Sequence, residues 1–201
     1  MSNKHLKMSE AKQAGFSLLE LLIAMTITLA VMVAASTLLA SSLRTRAREN
    51  LRSEALAAAQ RALSVMSREI SNSGYGLTDN GIVVADSAPD SIRVRANLNN
   101  DADVGDIDED VRFILQTANN QIVRYDDSTP ASQPSVLATN ITSLTIRYLN
   151  TADAEVGIAT AERVSIEVFV NLPAGPEEPP GMVRLISQVA LRNAPTTLLQ
   201  F

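Results

Sequence analysis

Residues 16–73 contain neither proline nor glycine. Nothing in that stretch forces a break, so the expected element is one continuous helix, roughly 85 Å long at 1.5 Å per residue. Its two halves differ in chemistry. Residues 16–43 are apolar with a single acid, Glu20, and are long enough to cross a bilayer. Residues 44–73 carry arginines and glutamates, and Leu51, Ala55, Ala59, Ala62, Met66 and Ile70 recur at spacings of three and four, with Leu56 and Leu63 widening the stripe. Such spacing predicts an amphipathic face in search of a partner.

What precedes the helix is as informative. Residues 1–14 form a short polar leader with Lys4, Lys7 and Lys12, and the leader ends at Gly15-Phe16. In a secretory signal peptide the small residue of the cleavage site follows the apolar core, whereas here it stands before it. Cutting after Gly15 therefore keeps the apolar helix on the mature chain.

Composition narrows the chemistry. The 201 residues include no cysteine, no tryptophan, and a single histidine, His5, in the leader. All three lysines are also in the leader, so a chain starting at Phe16 has neither histidine nor lysine. Ser-His-Asp and Cys-His catalysis, histidine general bases and ordinary zinc sites are excluded from such a chain. A carboxylate pair for glycoside hydrolysis survives formally, but with aromatics at only 3% a sugar-stacking cleft is poorly supplied. No enzyme is expected. Residues 74–201 hold eight arginines against seventeen acids, a net charge of −9, which argues against nucleic-acid binding through a basic face.

The helix is expected to close at Ser71-Asn72-Ser73-Gly74-Tyr75-Gly76, where glycines permit a left-handed cap. Beyond it the pattern becomes alternation. Strands are expected over residues 91–96, 111–117, 121–125, 141–148, 163–170 and 182–191, with a hairpin turn at Asn119-Asn120. The fold class is α+β, a long helix packed on one mainly antiparallel sheet. Residues 173–181, rich in proline, read as an exposed loop, and 196–201 as an apolar tail.

Residues 97–110 are dense in hard oxygen donors, the kind calcium prefers. With Asn99 as the first ligand, Asp101 and Asp103 fall at the third and fifth positions and Asp110 at the twelfth. Val104 stands where an EF-hand loop needs glycine, so the loop is not a regular EF-hand. Two readings stay open, a solvated acidic loop that repels itself and a calcium site on Asn99, Asp101, Asp103 and Asp110.

The stretch Lys12-Gln13-Ala14-Gly15-Phe16-Ser17-Leu18-Leu19-Glu20-Leu21-Leu22-Ile23-Ala24 resembles the processing site of type IV prepilins and of type II secretion pseudopilins. Arg68-Glu69-Ile70 into Gly74-Tyr75-Gly76-Leu77, and Val189-Ala190-Leu191-Arg192-Asn193, are similar to segments of PilW-like minor pilins. The resemblance implies a pilin-like fold and cleavage by prepilin peptidase after Gly15, with N-methylation of Phe16. It also implies an assembly role for Glu20, whose carboxylate would meet the Phe16 amino group of a neighbouring subunit; a carboxylate in an apolar helix is costly until it finds such a partner. Implied partners are other major and minor pilins, the inner-membrane assembly platform and membrane lipid. The implied location is the inner membrane, with the acidic domain outside the cytoplasm, and then the pilus.

The implied division of the chain is a leader over 1–15, an assembly helix over 16–43, its amphipathic continuation over 44–73 and a β-rich extracytoplasmic domain over 74–201. Small residues such as Ala24, Ala34, Ala35, Ser36, Ala40 and Ser41 permit close helix approach, and residues 43–59 are open to packing between subunits. Major pilins often carry a helix-disrupting proline beyond the cut, and this chain has none. Alternatives to the minor pilin are a minor pseudopilin of a type II secretion system and a membrane-anchored ligand- or calcium-binding module that never polymerises.

Overall fold

The computed structural model describes residues 15–101, 103–129, 133–174 and 181–194. The leader and the tail lie outside the described residues, and so does most of the proline-rich loop. The chain divides into two units between Ala47 and Arg48.

The first element, α1, spans Leu18–Ser71, within the expected helix of residues 16–73. In the N-terminal unit its side chains are exposed all round, Leu18, Leu22, Met25, Leu29, Met32 and Leu38 among them. The helix is long and apolar enough to cross a membrane. Hydroxyls along this stretch are satisfied by the helix itself: Thr28 Oγ1 donates to the Ala24 carbonyl at 2.7 Å and Ser36 Oγ to the Met32 carbonyl at 2.7 Å. That return bond lets serine and threonine sit in an apolar setting without an unsatisfied donor.

In the C-terminal unit, α1 buries Ala55, Ala59, Ala62, Leu63, Met66 and Ile70, the expected stripe without Leu51 and Leu56, the latter only half-buried. Leu51 is 54% exposed and stands outside the core. The helix packs on antiparallel strands, as expected of an α+β pilin-like architecture, but the strands form two sheets rather than one. The first sheet has the order β1 (Ser91–Arg95), β2 (Asp110–Gln116), β3 (Gln121–Asp126), β4 (Ser135–Ala138). The second has the order β5 (Ile141–Leu149), β6 (Arg163–Leu172), β7 (Gly181–Ala190). β4 has no counterpart among the expected strands, because its four residues are too few to show alternation. Inward-facing residues of both sheets, including Phe113, Ile122, Ile141, Ile166 and Val168, join the helix stripe in one core.

Chain reversals follow local chemistry. The β2–β3 hairpin turns through Asn120, at φ 51°, as its Asn119-Asn120 pair predicts. Gly74 (φ 76°) and Gly76 (φ 70°) close α1, also as expected. Three contacts then tie the helix end to the C-terminal end of β7. Arg192 N donates to the Ser71 carbonyl at 3.2 Å, Ser71 Oγ to the Ala190 carbonyl at 3.3 Å, and Asn193 Nδ2 to the Ser73 carbonyl at 3.2 Å.

The outward face of the first sheet is a charge ladder. Ile92 and Val94 point into the core, so alternation sends Arg93 and Arg95 to the other side. There Asp110 takes Arg93 Nε at 2.6 Å and Nη2 at 2.9 Å, and Arg95 Nε at 2.7 Å. Burial pushes the Asp110 carboxyl up, but the hydrogen bonds and charges of Arg93 and Arg95 outweigh it and hold it below its ordinary value. A carboxyl with a depressed folded-state pKa contributes stability above its unfolded pKa and loses it as pH falls through the folded one. Asp110→Ala should therefore cost about 2–3 kcal/mol at pH 7, below the full value of a buried pair because the arginines are partly solvated. Thermal melts at pH 7 and pH 3 check this, and the gap between wild type and variant should shrink at pH 3.

Candidate functional site

Two places in the chain carry candidate chemistry, one at the N-terminal end of α1 and one in the loop between β1 and β2.

Ser17 starts the helix. Its Oγ accepts the Leu19 N–H at 3.2 Å, and its carbonyl accepts the Leu21 N–H at 3.1 Å, so Ser17 is an N-cap that satisfies a donor the helix would otherwise leave open. Glu20 follows in the first turn, three residues after the cap, in the spacing of a capping box. At this position its negative charge is favoured by the positive end of the helix dipole. None of the ion pairs among the described residues uses Glu20.

Just before the cap, Phe16 is 83% exposed. Among the described residues, a Cβ built on Gly15 meets nothing within 4 Å, and the Gly15 backbone is not in the left-handed region. The protein's own fold therefore makes no demand for glycine at position 15. The peptide bond between Gly15 and Phe16 is open to approach, and a need for glycine there must come from whatever binds it.

A family model described as the prokaryotic N-terminal methylation motif matches residues 11–36. The matched residues include Gly15, Phe16 and Glu20. An N terminus of this kind, on an apolar helix whose continuation packs against antiparallel sheets, supports a type IV prepilin- or pseudopilin-like protein. The motif carries with it processing by prepilin peptidase and assembly with other pilins, and with the apolar helix it supports single-pass membrane anchoring. No curated protein matches the chain.

The acidic loop is organised by its own side chains. Asn97, 1% exposed, accepts the Asp101 N–H on Oδ1 at 3.2 Å. Asn99 Nδ2 donates to Asp101 Oδ2 at 2.9 Å and to Asp106 Oδ2 at 2.6 Å, while Asp101 Oδ1 accepts the Asp103 N–H at 3.1 Å. The hydrogen bond from Asn99 and the backbone bond from Asp103 hold the Asp101 carboxyl below its ordinary range. Glu109 closes the loop from beneath, 2% exposed, with Oε1 accepting the Leu98 N–H at 2.6 Å and the Asn99 N–H at 3.3 Å.

The structure brings together only part of the expected calcium set. Asn99, Asp101 and Asp103 share the loop, but Asp110 is the first residue of β2 and both its oxygens are engaged by Arg93 and Arg95. Among the described residues, the carboxylates whose oxygens lie within 4.8 Å of one another are Asp101, Asp103 and Glu109. The reason is parity: consecutive side chains at the start of a strand point to opposite faces. With Asp110 turned to the arginine face, Glu109 turns under the loop. Counting in an EF-hand frame could not identify Glu109, although the alternation of Val111, Phe113 and Leu115 carried back to position 109 puts it on the inward face.

Proposed function

We propose that this chain is a minor, PilW-like type IV pilin subunit rather than an enzyme, anchored by α1 with its acidic domain outside the cytoplasm. In this reading Gly15 presents the scissile bond, Phe16 supplies the new and methylated amino terminus, and Glu20 meets that amino group on a neighbouring subunit in the bilayer. The domain then pairs with other minor subunits near the pilus tip or in a priming complex.

The observation that supports the minor-pilin assignment is a meeting of two distant segments. The PilW-like stretches at the end of α1 and the end of β7 lie about 120 residues apart in the chain and are joined by the Ser71–Ala190, Arg192–Ser71 and Asn193–Ser73 hydrogen bonds. Two short resemblances that pack on one another are better explained by a shared fold element than by separate coincidences.

The test is Glu20→Ala in the native host. The variant should be cut and inserted in the membrane at wild-type levels, yet fall at least tenfold in sheared pilus fractions, because a charge pair in lipid has no substitute for its lost partner. Normal incorporation of the variant would favour an anchored module that does not polymerise. Intact pili with a loss of exoprotein secretion would reassign the chain to a type II secretion pseudopilus.

A further inference from the structure

The Glu109 carboxylate poses a problem the chain does not solve by itself. It is 2% exposed, and although Oε1 accepts two backbone N–H groups, Oε2 is buried with no hydrogen-bond partner. Leaving a buried carboxylate oxygen unpaired carries the full cost of its desolvation, so such an atom calls for a ligand or a proton. One oxygen of the Glu109 carboxylate lies within 4.8 Å of a carboxylate oxygen of Asp101 and of Asp103. Three like charges at that spacing repel one another, and no arginine among the described residues is ion-paired or hydrogen-bonded to Glu109.

We propose that Asp101, Asp103 and Glu109 form a binding site for a divalent cation of the calcium class, with Glu109 as its buried anchor. The donors are hard oxygens only, the set that suits calcium over zinc or copper, which favour imidazole and thiolate. The spacing also fits. Oxygens within 4.8 Å of one another need only a small inward shift of the exposed Asp101 and Asp103 side chains to reach one ion at about 2.3–2.6 Å. Backbone carbonyls and water complete the six to eight ligands that calcium takes. The cation would neutralise the cluster and pin the loop between β1 and β2 to the buried start of β2.

The site is tested on the full processed chain in detergent micelles, by calorimetric titration with calcium chloride and by thermal melting with and without calcium. The expected result is one calcium per chain with a Kd on the order of 0.1–1 mM, as in extracellular modules, and a Tm that rises with calcium. Asp101→Asn combined with Asp103→Asn changes only exposed side chains and should weaken binding at least tenfold while the calcium-free Tm holds. Glu109→Gln keeps an acceptor for the Leu98 and Asn99 amides and should weaken binding by a similar factor. Glu155→Gln, an acid on the other sheet, should bind as wild type. Binding that survives both site variants would overturn the assignment. So would no stoichiometric binding up to 5 mM calcium, on the order of several times the weakest expected Kd, which would give Oε2 to a proton or to solvent in the cleft it shares with Ser73 and Arg68.

Discussion

Gly15→Val should leave the chain uncut in a host with active prepilin peptidase. Intact mass and N-terminal sequencing of protein from the membrane should show a chain that begins at Met1, where the wild type begins at an N-methylated Phe16. The expected loss of processing is near complete, because the substitution acts on the scissile bond itself. What makes the experiment sharp is the indifference of the fold: a Cβ at position 15 meets no atom of the described residues within 4 Å, so the variant should fold and insert as the wild type does. Any loss of cutting then reports on recognition by the peptidase. Wild-type protein that stays uncut beside an active peptidase would sink the pilin reading.

The second large effect is structural. Gly81→Ala should lower the stability of the folded domain by about 3 kcal/mol or more, the combined cost of a left-handed backbone for alanine and of overpacking. Gly81 has φ 70°, and a Cβ there would stand 2.0 Å from Gly74 N and 2.3 Å from the Arg95 carbonyl oxygen. Both are backbone atoms and they are bonded to one another, with Gly74 N donating to Arg95 O at 2.8 Å, while Arg95 N donates to the Gly81 carbonyl at 2.7 Å. The clash therefore cannot be relieved by a side-chain rotation. It must part the turn after α1 from the end of β1. Gly157→Ala is the matched control, since Gly157 has φ −65° and its nearest neighbour would be Thr160 Oγ1 at 3.8 Å. That variant should stay within about 0.5 kcal/mol of wild type or gain slightly. Denaturant melts of the two variants side by side check the contrast.

Legibility in the sequence followed the range of the interaction. The long helix, its glycine cap, the Asn119-Asn120 hairpin and six of the seven strands were readable because each depends on the residue types and spacings of its own segment. Leu51 was misplaced because whether a helix face is covered depends on where distant strands end. The loop donors at Asn99, Asp101 and Asp103 were found from composition. Glu109 was missed because an EF-hand frame counts ligands along a loop and ignores which face the next strand presents. The tight approach of Gly81 to Gly74 has no local signature, because it is set by a third partner, Arg95, at the end of β1.

By itself, then, the sequence determined the N-terminal chemistry: a glycine before an apolar helix and one acid near the start of that helix are local features. It also determined the helix and strand periods, since these arise from neighbours three, four or two residues apart. Only the tertiary structure decided that the strands divide into two sheets, and that Asp110 faces two arginines while Glu109 lies buried beneath Asp101 and Asp103. Those outcomes turn on strand register and side-chain parity, and a shift of one residue in either would exchange the two acids between the arginine ladder and the loop.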